Sequence, residues 1–125
     1  MITGIGVDII EIQRVRTLYE RWGETFINKI LTKEEKDYCL SKKKYAQHIA
    51  ARFAAKEAFA KAIATGWSGI FNWKDVEVFN DASGKPAIEL HRKLQSLVTG
   101  CTIFLSISHS ENTVVALVII EKNCR

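Results

Sequence analysis

An alanine-rich segment over residues 47–64 constrains the fold of this chain more than any other feature. Alanine has the highest helix propensity of all residues, and Phe53, Phe59 and Ile63 recur among the alanines at helical spacing. The segment therefore predicts a long helix, with Gly66 as its C-terminal cap. The chain has 125 residues, of which 47% are hydrophobic. That suits one domain spanning the whole chain and is too little for two ordinary cores.

Segments rich in β-branched residues precede and follow this helix. Residues 2–10 read as one strand, and two shorter runs, DVEVFN and PAIEL, flank the turn sequence DASGK as they would in a hairpin. The runs TIFLSIS and TVVALVIIE predict two further strands, joined by the polar turn HSEN. The second half of the chain is thus expected to be mainly strand.

The segment after the first strand predicts a helix with a basic outer face. Apolar residues recur in it at helical spacing, namely Ile12, Val15, Leu18, Tyr19 and Trp22. Arg14 and Arg21 are seven residues apart, so they project from one side of that helix, opposite to the apolar residues. We expect both arginines to face solvent.

Local signals predict two shorter helices. Thr32 and Glu35 have the spacing of a capping box, which predicts a helix that starts there and ends near Leu40. Residues 91–98 predict another short helix before Gly100.

The formal net charge of +4 predicts an anionic partner. Charge alone does not distinguish among nucleic acid, a phosphorylated small molecule and an acidic protein. The positive charge makes a basic nucleic-acid-binding module one alternative function for the chain. The sequence has no recognisable nucleic-acid-binding motif and no aromatic residues interleaved with a basic stripe, so nucleic acid is not the expected partner.

The cysteines and apolar runs indicate the compartment. Cys39, Cys101 and Cys124 are scattered and show no C-x-x-C pairing, which is typical of reduced thiols in a cytoplasmic protein. The N-terminal residues lack the basic and long apolar regions of a signal peptide. The longest apolar run, residues 114–120, is too short to span a bilayer. We therefore expect neither secretion nor a membrane partner.

Three charged residues could together act on a phosphate group. Glu57 and Lys61 are four residues apart on the predicted long helix and share a face, which suits either a solvated ion pair or part of a site. Asp8 lies in an apolar strand, where a carboxylate must be paired, hydrogen-bonded or bound to a metal, or else cap the strand end. Two carboxylates from a strand and a helix suit Mg²⁺, which adds water and phosphate oxygens as its other ligands.

Further basic residues are candidates for phosphate binding. His109 continues the inward alternation of the strand that ends there, as either a structural histidine or a binding group. Lys42 and Lys44 belong to a run of three lysines, which with Arg52 could bind a phosphate dianion. The alternative for that run is a solvated charge cluster.

Over nearly its whole length the sequence resembles the phosphopantetheinyl transferases, and in particular their small bacterial class, the holo-acyl-carrier-protein synthases. The segments that carry the resemblance are GIGVDIIEIQRV at 4–15, FINKILTKEE at 26–35, ARFAAKEAFAKAIATG at 51–66, NDASGKP at 80–86 and SISHS at 106–110. The RFAAKEAFAKA block with the upstream aspartate is highly specific. The family usually reads G-T-G where this chain has Ala64, Thr65 and Gly66.

The resemblance implies roles for individual residues. Asp8 and Glu57 would bind Mg²⁺, and together with Lys61, which lies beside the pyrophosphate of coenzyme A, they would be the catalytic residues. The coenzyme A site would include, besides Lys61, the residues Lys42, Lys44, Arg52 and His109. The carrier protein's acidic recognition helix would contact Arg14 and Arg21.

The resemblance also implies the fold and the reaction. The fold would be α+β, with a long central helix packed on an antiparallel sheet, and three subunits would form a homotrimer with active sites at the subunit interfaces. The reaction would move 4'-phosphopantetheine from coenzyme A to a serine of apo acyl carrier protein. Either Glu57 or a metal-bound water could take the serine proton. Such a site would also allow a second reaction, the Mg²⁺-dependent hydrolysis of a nucleotide pyrophosphate with water as the nucleophile.

Overall fold

The structure is a computed structural model that describes residues 1–63 and 72–123. The predicted cap at Gly66 and the substitution at Ala64 lie outside the described residues. In chain order the elements are β1 (Ile2–Glu11), α1 (Ile12–Trp22), α2 (Glu24–Ile30), α3 (Lys33–Leu40), α4 (Tyr45–Ala62), a 3₁₀ turn (Trp73–Asp75), β2 (Val76–Asn80), β3 (Pro86–Leu90), α5 (Leu94–Leu97), β4 (Cys101–His109) and β5 (Thr113–Lys122). Within the described ranges, no helix is both long and apolar enough to cross a membrane.

The strands form a three-stranded sheet and a separate hairpin. In the larger sheet the order is β1-β5-β4, and both pairings are antiparallel. β2 and β3 form the antiparallel hairpin that the sequence predicts around its DASGK turn. The long helix α4 packs across one face of the larger sheet, here called the inner face, and contacts α1, α3 and β2 on its other sides. Because α4 is surrounded, alanines on nearly all its sides are buried.

Two glycines allow α4 to approach β1 at backbone distance. A Cβ atom added to Gly6 would lie 2.0 Å from the carbonyl oxygen of Ala58, and one added to Gly4 would lie 2.1 Å from that of Ala62. No side chain fits in either place. Since alternate residues of a strand share a face, Gly4, Gly6 and Asp8 all point toward α4. The G-x-G pair therefore sets the spacing at which Asp8 meets the helix.

The opposite face of the larger sheet, here called the outer face, is apolar and exposed. Ile5, Val7 and Ile9 of β1 are 63%, 53% and 67% exposed. The strand registers continue this face across Val115, Leu117 and Ile119 of β5 to Phe104 on β4. A monomer would leave this apolar surface in water, so the outer face is a strong candidate for a contact with another protein chain.

A buried ion pair joins α3, α4 and the hairpin. Lys56 and Glu35 both have side chains with no exposed surface, and Lys56 Nζ lies 2.7 Å from Glu35 Oε1. Lys56 also donates to the carbonyl oxygens of Ile30 and Trp73, and Glu35 accepts from the backbone N–H of Val78. Burial lowers the pKa of Lys56, an effect that the Glu35 carboxylate opposes. The pair fixes the rotation of α4 about its axis, because Lys56 is tied on three sides.

The structure confirms most of the predicted elements and corrects some of their details. The capping box of Thr32 and Glu35 is present, with both of its hydrogen bonds. The helix predicted over residues 91–98 is only the four-residue α5, and α2 was not predicted. Trp22 does not belong to the buried face of α1, because it is 54% exposed at the C-terminal end of that helix. The apolar residues of α1 therefore continue at helical spacing beyond the part of the helix that packs against the core.

Candidate active site

Asp8 and Lys61 meet where β1 crosses α4. The ammonium nitrogen of Lys61 lies 3.2 Å from Asp8 Oδ1 and 2.9 Å from the carbonyl oxygen of Val7. The Asp8 side chain is 17% exposed, while that of Lys61 is 54% exposed. The structure therefore resolves the question that the sequence left open for Asp8, because its carboxylate is paired with a lysine from the long helix.

Glu57 lies one helical turn before Lys61 and so shares its side of α4. Its neighbour Ala58 is the residue whose carbonyl faces Gly6, so the close approach of strand and helix occurs directly beside Glu57. Glu57 is half-buried. The structure thus brings Asp8 and Lys61 into contact and places Glu57 on the same side of the crossing.

The donor groups at this crossing suit Mg²⁺. Asp8 and Glu57 offer carboxylate oxygens, the hard ligands that Mg²⁺ prefers, and the ion needs only one or two of them from a protein. The Asp8 carboxylate already accepts from a cationic group, which shows that positive charge is favoured at this position. The site is also partly open, which leaves room for the other ligands that Mg²⁺ requires.

A second group with metal-ligating side chains lies on the hairpin. Glu77, Glu89 and His91 place their ligand atoms within 4.8 Å of one another. Glu77 accepts from Thr32 Oγ1 at 2.8 Å and lies 2.9 Å from His91 Nε2. These hydrogen bonds connect the hairpin to the start of α3. The group contains none of the predicted metal ligands.

A basic cleft of about 580 Å³ opens at the N-terminal end of α4. Lys44 and His109, which the sequence predicts to bind the same ligand, both line it, together with Arg16, Gln47 and one acidic residue, Glu111. Lys44 is the N-cap of α4 but makes no side-chain cap hydrogen bond, and the first turn contains no acidic residue. The helix dipole at this end of α4 adds to the positive charge of the cleft. The cleft suits an anionic group such as a phosphate.

Lys42 and Arg52 lie beside Tyr38 rather than in this cleft. Lys42 Nζ is 4.7 Å and the Arg52 guanidinium 4.5 Å from the centre of the Tyr38 ring. Arg52 is only 5% exposed and donates to Asn80 Oδ1 at 3.1 Å. Its Nε atom is buried without a hydrogen-bond partner among the described residues. The predicted phosphate cluster of lysines and Arg52 is therefore divided between two neighbouring places.

His48 lies between these two places. Its ring contacts that of Tyr38 edge to face, with the centroids 5.5 Å apart. Burial lowers the pKa of His48, and the positive charges of Arg52, Lys42 and His109 lower it further. The lowered pKa favours the neutral form of His48, so Lys42 and Arg52 carry the positive charge beside Tyr38.

Arg14 and Arg21 lie on the exposed side of α1, as predicted. The guanidinium of Arg21 lies 5.2 Å from the centre of the Trp22 ring. Exposed arginines beside an exposed tryptophan are typical of surfaces that bind other proteins.

Comparison with known proteins identifies the family. A model of the 4'-phosphopantetheinyl transferase superfamily matches residues 4–118. The chain belongs to this superfamily. The holo-[acyl-carrier-protein] synthase of Protochlamydia amoebophila is 44% identical over 119 residues, which are 95% of this chain and 98% of that protein. The synthase of Chlorobium limicola is 47% identical over 117 residues, which are 93% of this chain and 91% of that protein.

Solved structures of phosphopantetheinyl transferases have the same fold. The Neisseria meningitidis holo-[acyl-carrier-protein] synthase matches with a TM-score of 0.90 and 39% identity, over 98% of this chain and 100% of that one. The Bacillus anthracis synthase, solved in complex with coenzyme A (3',5'-ADP), matches with a TM-score of 0.84 and 37% identity, over 98% of this chain and 99% of that one. The expected α+β fold, with a long helix on an antiparallel sheet, is confirmed.

The candidate site includes residues to which the sequence reasoning assigned no role. Gly4 and Gly6 set the distance between β1 and α4, and glycine inside a strand is a known signal for close backbone approach. Arg16 adds a cation to the basic cleft, but from the sequence it is only one of several exposed positions on α1. The Tyr38 ring contacts both Lys42 and Arg52, and no local sequence pattern predicts these contacts.

Burial makes Cys39 of this phosphopantetheinyl transferase a poor nucleophile. Cys39 and Cys101 are free thiols. Cys39 has no exposed surface, and burial raises the pKa of its thiol to about 11. The Cys39 thiolate, which is the nucleophilic form, is therefore scarce at neutral pH.

Proposed function

We propose that this protein transfers the 4'-phosphopantetheine group from coenzyme A to a serine of apo acyl carrier protein and releases adenosine 3',5'-bisphosphate. The observation that carries the proposal is the crossing of β1 and α4, where Asp8 contacts Lys61 beside Glu57. The basic cleft of Lys44 and His109 supports it, because coenzyme A carries three phosphate groups. The names of the relatives support the same reaction.

Each proposed catalytic residue has a distinct task. Asp8 and Glu57 would hold Mg²⁺, which when bound neutralises charge on the pyrophosphate oxygens. Lys61 would add a second positive charge there, and Lys44 and His109 with Lys42 and Arg52 would bind the rest of the coenzyme. In the transfer, the serine oxygen bonds to the β-phosphorus while the bond from that phosphorus to the bridging oxygen breaks. The serine proton passes to Glu57 or to water.

The nucleotide product distinguishes this transferase from a pyrophosphate hydrolase. We expect adenosine 3',5'-bisphosphate to appear only when apo acyl carrier protein is present, in a one-to-one ratio with modified carrier. Chromatography of the nucleotides beside mass analysis of the carrier measures both products. Release of free phosphopantetheine without carrier protein would instead assign the site to hydrolysis.

Arg14 and Arg21 form the proposed docking surface for the carrier protein. Because charges at the edge of an interface steer an acidic partner, Arg14→Glu should raise the KM for carrier protein by roughly tenfold and leave the KM for coenzyme A nearly unchanged. Steady-state kinetics with each substrate varied in turn measures the difference. Lys93→Glu, the same charge reversal at an exposed residue near α5, is the control and should change neither value. Equal effects of Arg14→Glu on both substrates would contradict the docking role.

We propose that the protein assembles into a homotrimer with active sites at the subunit interfaces, and the exposed apolar outer face supports contact between chains. The central residue of this face, Val7, is exposed, so Val7→Asp places a charge in the proposed contact without a cost inside the monomer core. Light scattering after size exclusion should give three times the chain mass of 14.1 kDa for the unmodified protein and one chain mass for the variant. Leu97→Asp, at an apolar residue 46% exposed on α5, should remain trimeric. A monomeric parent protein, or a trimeric Val7→Asp variant, would refute this assembly.

The proposed unit of function is the whole chain, residues 1–125, as one phosphopantetheinyl transferase domain. Its proposed setting is fatty acid biosynthesis in the cytoplasm, where coenzyme A and the acyl carrier protein would both be available to it.

A further inference from the structure

The ammonium group of Lys61 stands where a cation would bind Asp8. It lies 3.2 Å from Asp8 Oδ1 and is also held by the carbonyl oxygen of Val7 at 2.9 Å. In the proposed function, the Lys61 ammonium binds a phosphate oxygen and the Asp8 carboxylate binds Mg²⁺. One contact therefore joins the two groups that the proposed function assigns to different ligands.

We propose that Lys61 is an internal counterion that competes with the divalent cation for Asp8. In the metal-free protein the ammonium group neutralises the Asp8 carboxylate. Binding of the metal displaces it, and the released ammonium then becomes available to a phosphate oxygen. This inference rests on the proposed function and adds to it an exchange of partners at Asp8.

Because of the exposure of the two side chains, this exchange of partners requires little free energy. Lys61 is 54% exposed, so its ammonium can leave Asp8 and remain hydrated, and an ion pair of this kind contributes little to stability. Asp8 is only 17% exposed and stays in place on β1, in a strand paired along its length with β5. The mobile partner is thus the lysine, and the fixed one is the carboxylate.

The two carboxylates of the proposed site explain why a lysine occupies position 61. Glu57 lies one turn before Lys61 on the same side of α4, so the proposed site contains two carboxylates. A lysine one turn beyond Glu57 supplies a positive charge to this pair of acids. The same charge repels an incoming divalent ion, so Lys61 should lower the metal affinity of the site.

Direct metal binding tests the competition without any catalytic readout. We would titrate the full chain with Mn²⁺, used as a paramagnetic probe, and measure free Mn²⁺ by electron paramagnetic resonance. Lys61→Met should bind Mn²⁺ about tenfold more tightly than the parent, the effect of removing one positive charge roughly 6 Å from a divalent ion in a medium as polar as water. Lys33→Met removes a lysine that pairs with Asp37 on α3 and should bind as the parent does.

A second readout is thermal stability with chelator and with Mn²⁺. Lys61→Met should melt close to the parent in chelator, because the half-exposed ion pair contributes little to stability, and should gain more from Mn²⁺ because it binds the ion more tightly. Lys61→Gln, which keeps a polar side chain, should behave in the same way and replaces Lys61→Met if that variant does not fold.

The outcomes separate this inference from the proposed function. Unchanged or weaker Mn²⁺ binding by both Lys61 variants, with a parent that binds through Asp8, would refute the competition and leave the metal site intact. Asp8→Asn identifies that site, because this variant should no longer lower the free Mn²⁺ concentration. Absence of Mn²⁺ binding to the parent and to both Lys61 variants would contradict the competition and the metal site together.

Discussion

Asp8→Asn is expected to lower the rate of phosphopantetheine transfer by about 10³-fold or more, because it removes a proposed metal ligand and half of the charge pairing at the β1–α4 crossing. Asparagine has the same shape, so the strand and its packing remain. The Lys61 partner is half-exposed and contributes little to stability, so the variant should unfold close to the parent's melting temperature.

Rates of carrier modification and circular-dichroism melting curves measure these two properties together. Asp37→Asn is the matched control, since Asp37 is also paired with a lysine, at 2.8 Å, but on the exposed surface of α3. It should transfer at the normal rate. Near-normal turnover by Asp8→Asn would remove Asp8 from the catalytic residues.

Gly6→Ala is expected to destabilise the protein by about 3 kcal/mol or more, since overpacking against a rigid neighbour is costly. The new methyl group would lie 2.0 Å from the Ala58 carbonyl oxygen, which is backbone and cannot rotate away. Strand and helix must therefore separate, and Asp8 would then move away from Glu57 and Lys61. Transfer should fall even under conditions in which the variant is still folded.

Urea denaturation measures the loss of stability, and the transfer rate measured well below the denaturation midpoint shows the effect on the site. Glu11→Ala, at the exposed end of the same strand, should change neither property strongly. A Gly6→Ala variant with normal stability and rate would show that the close approach of β1 and α4 is not required.

Elements with local signals could be predicted from the sequence. The long helix was placed within two residues at each end, because alanine favours a helix whatever surrounds it. The capping box fixed the start of α3 through residues only three positions apart. The hairpin followed from its turn sequence. For these elements, tertiary structure agrees with local preference.

The remaining features depend on contacts between distant segments. Lys56 stands in the sequence as one of several charged residues of α4, yet it is fully buried because Ile30, Glu35 and Trp73 supply its acceptors from other elements. Trp22 has the spacing of a core residue, but it lies at the C-terminal end of α1 and is 54% exposed.

The candidate site was predicted in its composition but not in its arrangement. Asp8, Glu57 and Lys61 were selected from residue type and family resemblance, and the structure does bring them to one crossing. The contact between Asp8 and Lys61 could not be foreseen, because it depends on the registration of a strand against a helix more than 50 positions away. The division of the basic residues between the Tyr38 ring and the basic cleft also depends on contacts between distant segments of the chain.

The proposed transfer is tested most directly by the intact mass of purified apo acyl carrier protein after incubation with this protein, coenzyme A and Mg²⁺, beside an identical sample that contains a chelator. We expect the carrier to gain the mass of one phosphopantetheine group at its serine with Mg²⁺ and to gain nothing with the chelator. An unmodified carrier in both samples, when a known transferase modifies the same preparation, would contradict the proposed function. A full gain in the presence of chelator would contradict the metal's role at Asp8 and Glu57.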